Sequence, residues 1–401
     1  MKNAKRLTTV ALSCALLSGV ACAQSSVTLY GIVDTGITYL SNQQVATSNG
    51  VVGKSAWSMT TGNNSPSTIG FRGAEDLGDG LSTIFDLRNY FLSNNGELFQ
   101  ANNLFDGSAF VGLKSERLGT ITFGRQFDSY TNFLAPFAAS NLWAGYAGAH
   151  FGDADNLNAA FSVNNAVQYL SPTFAGFSFG GTFSFGNQTN FGTNRAWAVG
   201  VGYTAGPASL AVGYLSIRNP FTAVLGGADG YVGEFSCGQT PSSYCQIQNS
   251  DELRTVGIAG GYAFEKLSLN ATLTHAKYLA SQYLAQSGGP VTDVTFDTAE
   301  LNGLYTFAPD FQVGAAYAYT NAKLNALDRT SHVHKVNLAA MYNLSKRTTL
   351  YVIGSFEKMT GDGIGIDPVT GGFQNYAQLS YFGTSNQSTQ IAVSAGIRHN
   401  F

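Results

Sequence analysis

The chain has 401 residues, of which only 11% are charged, against ~25% in an ordinary soluble domain, while 47 Gly, 28 Phe and 20 Tyr stand beside 9 Pro, 4 Cys and 4 Met. Mean hydropathy is near zero, and nothing beyond the N-terminal stretch offers the ~20 consecutive apolar residues of a membrane helix. Three of the 21 basic residues fall in the first 23 positions, so 18 remain against 24 acidic ones, a net charge of −6 that argues against a nucleic-acid partner.

The N-terminus carries Lys2, Lys5 and Arg6, then an apolar stretch over 7–20 that is too short to span a bilayer. Ala21-Cys22-Ala23 follows as a small-residue cleavage site, which predicts a signal peptide over 1–23 and a mature domain over 24–401. Cys22 opens a lipoprotein alternative; Gly19 counts against it, standing where a branched apolar residue is wanted.

Period-two alternation predicts strands at 26–41, 66–73, 81–92, 107–114 and 120–126. In the third of these, Arg88 shares parity with Asp86, opposite Phe85 and Leu87, and so belongs to the polar face. In the fifth, strict alternation from Ile121 and Phe123 aims Arg125 at the apolar face, unless a bulge at Gly124 turns it. The stretch 127–163 has no clean alternation. It holds Asp128, Asp153 and Asp155, no Lys or Arg, and the aromatics Phe133, Phe137, Trp143, Tyr146, Phe151 and Phe161. A loop this long in a compact protein is usually functional.

Further strands are predicted at 164–171, 177–187, 194–204, 208–218, 251–263, 267–279, 297–307, 311–321, 333–343, 348–357 and 389–401. Leu269, Ala271 and Leu273 share one face there, with Asn270, Thr272 and Thr274 on the other; Asp34, Arg72 and Lys335 fall on polar faces. Between the ninth and tenth strands, Cys237 and Cys245 lie in a Gly/Ser/Pro-rich stretch with no His nearby. In an exported chain that reads as a loop disulfide, not a metal site.

Alternation alone does not separate a secreted β-sandwich from a membrane barrel. The order of connections does. Tyr169, Tyr203, Tyr262, Tyr305 and Tyr342 each close a strand just before a short turn, and each shares parity with its strand's apolar face. Short turns alternate with long irregular loops, as in outer-membrane barrels, and the tyrosines then form one interfacial girdle. The fold class expected is therefore all-β, a transmembrane 16-stranded antiparallel β-barrel. An even strand number lets the first and last strands meet, leaving no unpaired edge in hydrocarbon. Sixteen strands also leave room for an aqueous lumen.

Several segments resemble the β-proteobacterial general porins found in Neisseria and Burkholderia relatives. They are Ser26-Val-Thr-Leu-Tyr-Gly-Ile-Val-Asp34, Ile69-Gly-Phe-Arg-Gly-Ala-Glu-Asp-Leu-Gly-Asp-Gly-Leu81, Gly119-Thr-Ile-Thr-Phe-Gly-Arg-Gln126, Tyr169-Leu-Ser-Pro172 and Gly396-Ile-Arg-His-Asn-Phe401. The resemblance implies a homotrimer in the outer membrane of a Gram-negative bacterium, in contact with lipid and lipopolysaccharide. It implies passive diffusion of small hydrophilic solutes and ions past an inward-folded third extracellular loop. It makes Phe401 the signal read by the barrel-assembly machinery. On this basis the constriction is expected to hold Arg125, Arg88, Asp128, Asp153 and Asp155, with Asp34, Thr68, Arg72 and Lys335 lining the pore. Thr68 stands where such proteins commonly carry an arginine, and Gly107-Ser108 and Ser162-Val163 lack others. The wall is less basic than in those relatives, so the pore is expected to be weakly anion-selective at most, or to favour cations or neutral solutes.

Rival functions find less support. None of the five mature histidines sits in a recognisable catalytic motif, and no phosphate-binding loop or Cys/His cluster occurs, so neither catalysis nor a cofactor is expected. His332-Val-His334 has a metal-compatible spacing but reads as a solvated pair. A channel selective for sugars or aromatic acids, using the loop aromatics, is the alternative, and the loops at 219–250 and 358–388 leave room for an adhesin role.

Overall fold

A computed structural model describes residues 26–47, 50–223, 243–244 and 246–401. The expected signal peptide and the Cys237–Cys245 disulfide lie outside the described residues.

Sixteen staves form one closed antiparallel sheet. β1 (Ser26–Thr47) is followed by β2, which runs in two pieces, Gly50–Thr61 and Thr68–Gly78, both hydrogen-bonded to β1. Then come β3 (Leu81–Tyr90), β4 (Ser108–Ser115), β5 (Gly119–Gln126), β6 (Val163–Leu170), β7 (Phe177–Ser184), β8 (Ala196–Ala205) and β9 (Ala208–Arg218). The second half comprises β10 (Glu252–Ala263), β11 (Leu267–Ser281), β12 (Thr292–Ala308), β13 (Phe311–Leu324), β14 (Arg329–Asn343), β15 (Thr348–Gly361) and β16 (Thr389–Asn400). The seam pairs β1 with β16 from Ile32 opposite Asn400 to Leu40 opposite Ala392. Phe401 completes it by exchanging backbone hydrogen bonds with Gly31 at 3.0 and 3.1 Å.

The burial pattern is inside out. In β11, Leu269 and Leu273 are 36% and 57% exposed, whereas Thr272 and Thr274 are 1% and 7% exposed. In a sandwich the leucines would form the core; here they face lipid, and the polar face packs inward. Tyr169, Tyr262, Tyr305 and Tyr342 are exposed on the same outer surface. No helix among the described residues is long and apolar enough to cross a membrane.

The second stave departs from the sequence expectation. The run predicted at 66–73 is only the lower piece of β2, and 50–61 forms a strand as well. Pro66 has no N–H to give the ladder, and Gly62 takes a φ of +69°, so the stave breaks between the pieces. Asp34 supplies the missing partners: its Oδ2 accepts the N–H groups of Asn64 and Ser65 at 3.0 and 2.8 Å, and its Oδ1 the Tyr351 hydroxyl at 2.5 Å. Asp34 is fully buried in this role. That corrects its expected place on the pore lining, because a carboxylate capping backbone donors is closed off from the lumen.

The long connection between β5 and β6 folds into the barrel. It opens with the short helix α1 (Ser129–Leu134), whose first turn is capped by Asp128 accepting the Thr131 N–H at 3.0 Å. Tyr130 and Leu134 pack against β9 and β10 where Gly213 and Gly257 leave the wall bare; a Cβ at Gly257 would lie 2.6 Å from Leu134. Trp143 lies in the same way against Gly314. Glycines on the lumenal face thus clear a track for the loop. Tyr130, Leu134 and Trp143 are each fully buried there, worth about 1.5–3 kcal/mol apiece.

Candidate functional site

With the loop lying against β7–β14, open space remains against the opposite wall, β2–β6. Arg125 reaches it because the β5–β6 register slips between Gly124 and Gln126, with Gly124 at a φ of +133°. The bulge re-aims the side chain from the lipid face to the lumen. Arg125 then donates to the Asp106 carbonyl at 2.9 Å, to the Ser162 carbonyl at 3.3 Å and to Asn164 Oδ1 at 2.6 Å.

Two cavities meet at this wall. One, of about 400 Å³, is lined by Thr68, Arg88, Tyr90, Phe99, Asp106, Arg125, Tyr146 and Tyr381 among others. The second, of about 260 Å³, is lined by Thr122, Gln126, Asn132 and Gln168. Arg88 and Phe127 belong to both. The Arg88 guanidinium sits over the rings of Phe127 and Tyr90 at 5.0 and 5.5 Å. Its Nε has no hydrogen-bond partner, and no carboxylate among the described residues ion-pairs with it. Asp86, its strand neighbour, is occupied by the hydroxyls of Tyr30 and Ser108. Asp106 is the carboxylate in the larger cavity. Burial pushes it up to about 6, against the Tyr90 N–H it accepts and the charge of Arg125.

A lumen narrowed by an internal loop, with arginines on one wall, is the geometry of a diffusion channel. The model of the Gram-negative porin family matches residues 8–362. This chain is a Gram-negative porin. An outer membrane porin protein of Bordetella pertussis is 31% identical over 97% of this chain and 99% of its own, and outer membrane porin protein 32 of Delftia acidovorans is 31% identical over 98% and 99%. Among solved structures, an anion-selective porin from Comamonas acidovorans superposes with a TM-score of 0.69 at 25% identity, covering 94% of this chain and 100% of that one. The porin therefore resides in the outer membrane of a Gram-negative bacterium, where its barrel forms a water-filled channel.

The porin places the sequence-predicted residues unevenly. Arg88, Arg125 and Thr68 line the larger cavity. Arg72, exposed and 5.0 Å from the Tyr30 ring, shares the lumenal parity of Thr68 but lies outside both cavities. The three loop carboxylates do not face the opening. Asp128 is spent on the helix cap, Asp153 accepts the Asn158 N–H at 2.8 Å, and Asp155 pairs with His150 at 2.7 Å; all three are buried. A loop without Lys or Arg spends its acids on its own backbone and on His150 before it can present them to water. Lys335 is also buried, donating to the Ala149 carbonyl at 2.6 Å beside Glu357 at 3.2 Å, so it anchors the loop and lines nothing. His332 and His334 point outward, bonded to the hydroxyls of Tyr319 and Tyr317.

Sequence reasoning missed Asp106, Tyr90, Phe99 and Tyr381. Three of these come from loops with no periodicity to orient them. Tyr90 lies within the predicted strand 81–92 on the parity of Arg88 and was within reach.

Proposed function

We propose that the porin passes small hydrophilic solutes by passive diffusion with a modest preference for anions, set at an opening that holds Arg88, Arg125 and Asp106. The observation that carries this reading is the Arg88 guanidinium, which lines both cavities and ion-pairs with no carboxylate among the described residues. Two fixed positive charges face one carboxylate in the cavity lining, with Asp86 behind Arg88 held by the Tyr30 and Ser108 hydroxyls, and the loop acids are turned inside. Rings of charge at a constriction set ion preference. The Comamonas acidovorans relative is itself described as anion-selective.

The zero-current potential across a planar bilayer in a KCl gradient should have the sign of chloride preference, and Arg88→Glu should reverse it. A wild-type potential of the cation-preferring sign would sink the assignment.

The porin assembles as a homotrimer in this reading, with lipid and lipopolysaccharide around it and Phe401 presented to the assembly machinery. A barrel of the same fold, OmpT of Vibrio cholerae, occurs in a trimer form. Trp57 and Met59 on the upper piece of β2 are exposed on the outer surface, which in this reading a neighbouring subunit covers. Unheated detergent samples should run at about three times the mass of boiled ones on a gel; a monomeric band under both conditions contradicts the trimer. The buried His150–Asp155 pair belongs to the loop and is closed off from solute.

A further inference from the structure

We propose that the larger cavity is a docking subsite for planar aryl carboxylates. The inference rests on Arg88 being the anion contact of the opening, and deepens that reading to a class of solute. Six side chains form one contiguous cluster, in which Phe99 also lies 6.1 Å from Tyr381. Phe127 and Tyr90 flank the Arg88 guanidinium at 5.0 and 5.5 Å. Phe99 lies 6.4 Å from Tyr90, edge-on. Tyr146 stacks on Phe99 at 5.7 Å, and Tyr381 on Tyr146 at 4.1 Å with the rings 24° apart. All six line the one cavity of about 400 Å³. They come from four separated stretches of chain, so the alignment is tertiary and not a local accident of composition.

The chemistry matches a ligand with two unlike ends. A carboxylate meets a guanidinium that ion-pairs with no carboxylate among the described residues, and charge-assisted contacts of that kind are the strong ones. Asp106 opposes an anion in the same cavity, but Arg125 stands beside it and two guanidinium charges outweigh it. A flat aromatic body then lies along rings whose faces and edges complement its own. Acetate would gain only the charge contact. A saturated ring of equal size would gain apolar contact without the ring-face geometry.

Single-channel currents in KCl with added benzoate, cyclohexanecarboxylate or acetate test this. Benzoate should interrupt the current in a concentration-dependent manner, with an apparent affinity roughly fivefold above that of cyclohexanecarboxylate. Phe99→Leu should bring that ratio towards one. Arg88→Gln should weaken block by both ring acids. Equal affinities for benzoate and cyclohexanecarboxylate in the wild type overturn the aryl preference, and that comparison needs no variant to fold. An Arg88→Gln channel that keeps full benzoate block overturns the docking site. Should the same variant also keep the wild-type reversal potential, the opening itself has been placed wrongly, which is a separate failure from loss of aryl preference alone.

Discussion

Replacing Lys335 by Met should destabilise the barrel by about 3–5 kcal/mol and leave the channel open but noisy. Lys335 sits on β14 directly opposite Glu357 of β15. Its ammonium donates to the Ala149 carbonyl in the inward loop at 2.6 Å, while Glu357 Oε1 accepts the Gln378 N–H in the connection between β15 and β16 at 2.7 Å. One ion pair therefore fastens two loops to the wall. Removing the ammonium strands a fully buried carboxylate, and that, more than the lost attraction, is the large cost. The double replacement Lys335→Met, Glu357→Leu should recover much of the stability, because an apolar pair of similar volume removes both desolvation penalties. It should not recover the quiet current, since the Ala149 carbonyl keeps only the long contact with the Ser380 hydroxyl at 3.5 Å. Thermal loss of β-sheet circular dichroism in detergent and open-channel noise read the two effects separately. A single variant as heat-resistant and quiet as the parent would rule out the tie.

The parts of this architecture that were legible in the sequence are those written with a short period. Leu269 and Leu273 against Thr272 and Thr274 show a face, and the tyrosines before each turn show which end of the barrel is which. The conflict between the parity of Arg125 and its charge pointed to a bulge at Gly124 because a glycine stood where one was needed, and the register slips there. Illegible features depended on pairings between distant segments. Whether Asp34 faces water or caps a broken stave depends on Pro66, 32 residues later, and on Tyr351 across the seam. Phe99, Tyr146 and Tyr381 become a stack only once three loops meet. Lys335 read as a solvated lumenal cation because polar parity distinguishes inside from outside; it does not distinguish a lumen filled with water from one filled with loop. The loop acids failed in the same way, since their number was visible but their backbone partners were not.

His150→Gln should loosen the inward loop at every pH, whereas the native loop should loosen only in alkali. His150 lies at the centre of a buried cluster, with Nδ1 2.7 Å from Asp155 and Nε2 3.4 Å from Glu300 of β12. Glu300 also accepts the Ala139 N–H at 2.9 Å, and Asp155 accepts the Thr274 hydroxyl at 2.6 Å, so the imidazolium joins loop and wall. Burial alone would depress the imidazolium; Asp155 and Glu300 outweigh it and hold the group up at about 10, above its ordinary 6.5. A raised basic group contributes stability that is whole below its unfolded value and is lost as pH climbs through the folded one. Asp155 works in the opposite sense: although burial raises it, His150 holds it below its ordinary 3.8, so its contribution stands above that value and fails only in stronger acid. Neighbouring Asp153 is pushed up by burial and then by Asp155, which limits the negative charge that the cluster must neutralise. The latch should therefore begin to weaken above about pH 7 and be lost by about pH 10. Current noise and protease cleavage within the loop should rise together over that interval in the native porin. In His150→Gln two buried carboxylates lose their counter-ion, at about 3–5 kcal/mol, and the noise should be high at neutral pH with little further alkaline change. A native channel whose noise stays flat into strong alkali, or a glutamine variant that keeps the native alkaline transition, would show that some other group holds the loop.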